Sequence, residues 1–271
     1  MRPVNVWLSQ GGRGVVLTGI LAATLAGSAV ITRGGPGSDL GPPTRTVAAG
    51  LVGLDAPAGQ RLLFESEARA AFLPLISHFE TQKSLAHCGP ATIAMVLNAL
   101  KVPAPAVAAY GSYRLFTQDN VLNELTRSIT SDGAVARRGM SLADVAQVLR
   151  VYGPSVEIHY AGSSRVDAFR RLAVDHLASP GRHVIVNYSR SALGQEGSGH
   201  ISPLGAYDAD SDRFLILDVS RYKAPAVWVA TERLFKAMAE PIKPGSERTR
   251  GFLLIRAPSN DSRGKAAPPP T

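Results

Sequence analysis

The sequence predicts one α+β domain, a helical half packed against an antiparallel β-sheet with an active site at the seam, and three observations lead there. Helical patterns dominate residues 88 to 178, short apolar runs bounded by Gly, Asp or Ser dominate 182 to 256, and the single cysteine opens the first helix. A thiol on the helices and a base on the sheet would then face each other across the join.

The chain has 271 residues, 45% of them hydrophobic, which suits one good core and is too little for two large ones. Residues 1–13 carry Arg2 and Arg13 and no acid, and the uncharged apolar stretch 14–31 follows. Residues 1–31 therefore read as an export signal or an N-terminal membrane anchor, and the two readings stand side by side. Gly34, Gly35, Pro36, Gly37, Gly41, Pro42 and Pro43 mark residues 32–61 as a linker and lead-in segment. The folded domain is expected over 62–257, and residues 258–271, with almost nothing apolar to bury, as a disordered tail. An exported chain of this kind would be periplasmic, or anchored to the inner membrane and facing the periplasm, with membrane contact only through residues 1–31.

Within the domain, Cys88–Leu100 reads as a helix with Pro90 in its first turn, where the missing N–H costs nothing, and with Ile93, Val96, Leu97 and Leu100 on one face. Ser141–Val151 is a second helix, with Ser141 as N-cap and Asp144 three residues on in a capping-box arrangement. Residues 165–178 form a third. Strands are expected at 182–188, 200–207, 213–219 and 250–256, with Asp208–Asp212 as the turn between the second and third.

The net charge is +8, but the Lys and Arg residues are spread along the chain and form no run or basic helix, so no nucleic-acid partner is expected. A solvated basic surface, or a site for a small anionic substrate, accounts for the balance. One cysteine excludes an intramolecular disulfide and any Cys-rich metal centre, and the scattered histidines form no dedicated metal site.

Cys88 opens a helix, so free backbone N–H groups and the positive end of the helix dipole lie near its sulfur and favour the thiolate. Gly89 lets a substrate approach, and the Cys88 N–H is a natural oxyanion donor. Gln82, six residues earlier, is placed to supply a second. Six histidines compete for the role of base: His78, His87, His159, His176, His183 and His200. His87 adjoins Cys88 but points elsewhere from a helix start. His200 opens a strand after a glycine-rich loop, and antiparallel pairing brings it beside Asp218, which would hold the imidazole tautomer. A structural ion pair at a sheet edge is the other reading of those two residues.

Several separate segments carry a resemblance: Gln82–Leu100 (QKSLAHCGPATIAMVLNAL), Asn187–Pro203 (NYSRSALGQEGSGHISP), Arg213–Lys223 (RFLILDVSRYK), Trp228 and Arg250–Ile255 (RGFLLI). Together they resemble the phytochelatin synthase family, in its short bacterial form without the Cys-rich C-terminal domain. The Gly-His-x-Ser-Pro motif followed by Leu-Ile-Leu-Asp-Val-Ser-Arg at an eighteen-residue His-to-Asp interval is the specific part.

The resemblance implies a papain-like fold with Cys88, His200 and Asp218 as catalytic triad and Gln82 as oxyanion residue. It places Asn187, Gly199 and Arg250 against the γ-glutamylcysteinyl part of the substrate, and the guanidinium fork of Arg250 suits an α-carboxylate. The implied activity is that of a glutathione γ-glutamylcysteinyltransferase, acting on glutathione and related γ-glutamyl thiol peptides through a Cys88 thioester. It implies no tightly bound cofactor, with Cd or Zn entering as a glutathione thiolate complex, and, since the family is often dimeric, a homodimer.

Three departures from the family pattern tilt the expectation toward hydrolysis of glutathione, with phytochelatin synthesis weak. Cys-Gly-Pro-Ala-Thr replaces the usual Cys-Gly-Val/Leu-Ala-Ser, Ala224 and Ala226 stand where Tyr and Pro are common, and the Cys-rich domain is missing. Two rivals remain at the level of sequence. A bacteriocin-leader peptidase shares Gln, Cys-Gly-Pro-Ala, His and Asp, but its Asp is usually followed by Pro, where Val219-Ser220-Arg221 stand here. A non-catalytic envelope module for thiol peptides or metal would lack a triad member, and none is missing.

Overall fold

The computed structural model describes residues 46–243 and 245–258. The signal or anchor expected over 1–31, the first half of the linker and the tail beyond Pro258 lie outside them. Among the described residues no helix is long and apolar enough to cross a membrane.

In chain order the elements are β1 (Val52–Gly53), α1 (Pro57–Glu65), α2 (Phe72–Ile76), α3 (Cys88–Ala99), α4 (Asp132–Arg138), α5 (Leu142–Val151), β2 (Ser155–Tyr160), α6 (Val166–Ala178), β3 (Arg182–Ser189), β4 (Gly199–Asp208), β5 (Arg213–Ile216), β6 (Val227–Ala230), α7 (Thr231–Ala239) and β7 (Gly251–Arg256). The strands form one sheet in the order β1-β6-β5-β4-β3-β7-β2, every pair antiparallel. The α+β class and the antiparallel sheet are as the sequence predicts, and the arrangement is consistent with a papain-like fold.

The order of elements is less segregated than helices first and strands later. Both edge strands, β1 and β2, come before α6, β2 within the part that reads as helical, while α6 and α7 are interleaved among the later strands. The fold also begins upstream of Leu62: Val52–Gly53 pairs with β6, and Pro57 opens α1, whose carbonyl at Gly59 accepts the Trp228 indole N–H at 3.0 Å.

α3 packs against α2, α5 and β4 and is buried on every side from Cys88 to Asn98 rather than along one stripe. A helix apolar all round belongs inside a core, and its polar members are satisfied there. Asn98 exchanges two hydrogen bonds with the backbone of Phe116, each 2.9 Å, and the Thr92 hydroxyl donates to the Ile201 carbonyl at 3.3 Å. α5 begins with the expected capping box: the Ser141 hydroxyl accepts from the Asp144 N–H, and the Asp144 carboxylate from the Ser141 N–H.

The third predicted strand is shorter than expected. Ladder pairing ends at Ile216, so Asp218 lies beyond β5 instead of closing it. Within the ladder the β4–β5 register shifts between Leu204 and Ala206, leaving Gly205 without a partner on β5. Past Ile216, Leu217 still donates to the Pro203 carbonyl at 3.0 Å, and the Val219 N–H reaches β4 through the Ser202 hydroxyl at 3.4 Å.

Candidate active site

The central strands β3 and β4 set the frame, pairing Tyr188 with His200, Asn187 with Ile201 and Ser189 with Gly199. β7 joins β3 with Gly251 opposite Asn187. That register gathers Asn187, Gly199, His200 and Arg250 at one end of three neighbouring strands, and the start of α3 brings Cys88 to the same place. These five residues line a single cavity of about 630 Å³, together with Leu85, Met140 and Tyr160.

Asp218 stays within reach of His200 because the β4–β5 register, carried two residues past the ladder, sets it on the same face one pleat away. His200 Nε2 donates to Asp218 Oδ1 at 2.8 Å, both side chains buried. A carboxylate can only accept, so the proton sits on Nε2 and Nδ1 is left for the Cys88 thiol, with which His200 is hydrogen-bonded.

The electrostatics follow from these contacts. Burial pushes the Cys88 thiol up, but the bond to His200, its charge, and the backbone at Ile201 and Gly89 outweigh that and hold the thiol below its ordinary value. Burial pushes His200 down, and Asp218 and then Cys88 more than reverse it. Asp218 is held at about 2, against its own burial, by His200, by Arg190 and by the Ser220 N–H. A depressed thiol beside a raised imidazole is the condition for a thiolate–imidazolium pair.

Arg190 escaped the sequence reading. Its buried guanidinium donates to Asp218 Oδ1 at 2.7 Å and to Gln195 Oε1 at 3.0 Å. Asp218 Oδ1 therefore collects His200, Arg190 and the Ser220 N–H, the last at 2.8 Å. The only signal in the sequence is the position of Arg190 inside the segment that ends in the Gly-His motif, since a contact 28 residues away cannot be read from spacing.

Gln82 is buried beside this group, its backbone N–H donating to the Val219 carbonyl at 2.9 Å. Its amide Nε2 donates to the Ser84 carbonyl at 2.6 Å and to the Tyr222 hydroxyl at 3.0 Å, and Oε1 has no partner among the described residues. It does not line the cavity. Both N–H groups are thus engaged here, the inner one on the Ser84 carbonyl and the outer one on Tyr222, an exposed residue.

Also lining the cavity, Arg250 donates through Nη1 to the carbonyls of Glu240 and Pro241 at 3.1 and 3.2 Å. Its other edge faces Gly199, where a Cβ would lie 3.3 Å from Nε and 3.6 Å from Nη2. Gly89 is likewise free of a side chain for a reason, because a Cβ would come within 2.7 Å of the Met140 sulfur. The remaining five histidines do not line the cavity: His78 follows α2, His87 turns to Asp132, His159 to Glu157 at 3.6 Å, and His176 and His183 are buried elsewhere. Among the described residues no three His, Cys, Asp or Glu side chains gather in a way that could hold a metal ion.

Comparison with known proteins points the same way as these contacts. A family model described as phytochelatin synthase matches residues 43–252. The chain is 36% identical over 211 residues to glutathione gamma-glutamylcysteinyltransferase 3 of Lotus japonicus, covering 75% of this chain and 43% of that protein. It is 36% identical over 190 residues to glutathione gamma-glutamylcysteinyltransferase 1 of Arabidopsis thaliana, covering 70% and 38%. Against glutathione gamma-glutamylcysteinyltransferase of Schizosaccharomyces pombe it is 29% identical over 184 residues, covering 68% and 43%. The chain spans about two fifths of the length of these relatives.

Proposed function

From the premise that this chain belongs to the phytochelatin synthase family, we propose that it is a cysteine acyltransferase that takes the γ-glutamylcysteinyl group from glutathione onto Cys88. The observation that carries the reading is the buried Cys88–His200–Asp218 chain of contacts at the edge of a cavity that Arg250 also lines.

The Cys88 thiolate attacks the carbonyl carbon of the Cys-Gly peptide bond, forming a C–S bond and an oxyanion. The Cys88 backbone N–H and the outer N–H of Gln82, released by Tyr222, receive that charge. His200, carrying the thiol proton, gives it to the glycine nitrogen as the C–N bond breaks, and the γ-glutamylcysteinyl thioester remains. Asp218, with its proton-free carboxylate secured by Arg190, keeps the imidazole in register. The free edge of Arg250, beside Gly199 and Asn187, suits the α-carboxylate of the γ-glutamyl group.

Water then resolves the thioester more readily than a second glutathione does. In support, Ala224 and Ala226 are small and buried, so neither offers a side chain to a second thiol peptide. A soft metal ion enters this scheme as part of the substrate, bound by glutathione thiolates. The chain acts after export, with residues 1–31 as the export segment, which a reporter fusion after Ile31 would test.

The deciding experiment incubates the protein with glutathione, with and without cadmium, and resolves glycine, γ-glutamylcysteine and longer γ-glutamyl peptides. The reading requires glycine release that disappears in Cys88→Ser. Turnover of a double-glycine leader peptide instead of glutathione would overturn it, and dominant two-repeat product without cadmium would overturn the preference for water.

A further inference from the structure

We propose that His87 is a positioning residue for Gln82, acting through Ser84, an inference that rests on the oxyanion role given to Gln82 above. His87 immediately precedes Cys88 and is 3% exposed, yet its ring faces away from the sulfur. Nε2 lies 3.1 Å from Asp132 Oδ1, and Nδ1 lies 2.6 Å from the Ser84 hydroxyl. The carboxylate can only accept, so Nε2 carries the proton, and Nδ1 accepts from Ser84. Both ring nitrogens of a buried imidazole are therefore satisfied, and neither is available to Cys88.

The same Ser84 controls Gln82. Its carbonyl accepts the Gln82 amide at 2.6 Å and the His87 backbone N–H at 3.1 Å, while its hydroxyl accepts the Ala86 N–H at 3.3 Å. One N–H of Gln82 is thereby aimed at a carbonyl, which sets the plane of the amide and so the direction of the other N–H. His87 holds that carbonyl from two sides, through its own backbone and through the Ser84 hydroxyl.

At its other end the imidazole is fixed to Asp132, the first residue of α4, which Lys83 also binds at 2.7 Å while reaching Asp119 at 2.5 Å. α4 ends at Arg138, and Met140 just beyond it lines the cavity against Gly89. One buried ring thus ties the turn that orients Gln82 to the segment that walls the cavity.

An oxyanion donor acts on charge that develops in the transition state, so loosening it lowers kcat and spares KM. A purely structural His87 would lower activity without reference to Gln82. The test is a pair of double-mutant cycles on glycine release from glutathione, using His87→Ala, Ser84→Ala and Gln82→Ala singly and the two pairs that include Gln82→Ala.

His87→Ala is expected to lower kcat on the order of tenfold with KM within about twofold. Ser84→Ala should move kcat in the same direction. In the Gln82→Ala background each substitution should change kcat by less than about twofold. The same factor in both backgrounds, or no loss of kcat in either single variant, overturns the proposal. Where His87→Ala fails to fold by near-ultraviolet circular dichroism, the Ser84 cycle decides alone, since that hydroxyl sits on an exposed residue. Absence of glycine release by the unaltered protein would instead overturn the proposed function itself.

Discussion

His200 donates to Asp218 across 2.8 Å even though Asp218 lies past the end of the strand that should deliver it. Three donors meet at Asp218 Oδ1, from β4, from the end of β3 and from the turn that Asp218 itself begins. The carboxylate is held low, at about 2, and so remains ionised through any pH at which a thiol–imidazole pair could work.

Replacing that charge tests its part in the site. Asp218→Asn keeps the shape but removes the force that raises His200, so His200 should titrate lower and, with less positive charge beside it, Cys88 higher. The pH window of glycine release should narrow from both sides, and kcat/KM at its optimum should fall at least about a hundredfold, the low end of what a positioned acid–base group contributes. An unchanged pH profile would remove Asp218 from the reaction.

The depressed thiol predicts a measurement that needs no substrate. Alkylation of Cys88 by iodoacetamide should reach half its maximal rate at a pH below the ~8.5 of a free thiol, and His200→Ala should move the curve upward. The lone cysteine makes the signal unambiguous, since no other thiol competes. Coincident curves for the two proteins would mean that His200 does not activate the sulfur.

Gly199 offers a test of the edge of Arg250 that the proposal assigns to substrate. A methyl group there would stand 3.3 Å from Nε, so the guanidinium must give by a few tenths of an ångström and the methyl covers that edge. Gly199→Ala should raise KM for glutathione roughly tenfold and leave kcat within about threefold, the pattern of a lost binding contact. An equal loss in kcat would place the effect on His200, the next residue, instead.

Cys88, His200 and Asp218 were legible in the sequence because each depends on something local. Cys88 stands before a proline at a helix start, and His200 and Asp218 flank a hairpin whose turn is marked by Asp208–Asp212. Arg190 and Tyr222 were not legible as neighbours of that group, since the burial of a charged side chain depends on which distant partner the fold delivers. β1 is two residues long, too short for any periodicity, and β2 carries Glu157 and His159 on an edge strand that reads as polar. The all-round burial of α3 was hidden because Thr92 and Asn98 are polar side chains whose buried backbone partners, Ile201 and Phe116, lie far off in the chain.

A last prediction concerns stability in acid. His183 on β3 is 1% exposed, neither ring nitrogen has a hydrogen-bond partner among the described residues, and burial, with the charge of nearby His176, pushes it down to about 4. The fold holds the neutral ring, while the unfolded chain takes up a proton near the ordinary 6.5. Between those two values the unfolded state binds more protons, so stability falls as pH falls through that window and is fully present above it. The shift corresponds to about 3 kcal/mol lost by pH 4. His183→Leu removes the titrating group, so its stability relative to the unaltered protein, from urea unfolding at each pH, should improve by about that amount between pH 7 and pH 4. A difference that stays constant across the window would mean that His183 is already protonated in the fold, or reached by water, and that the acid sensitivity of this domain arises elsewhere.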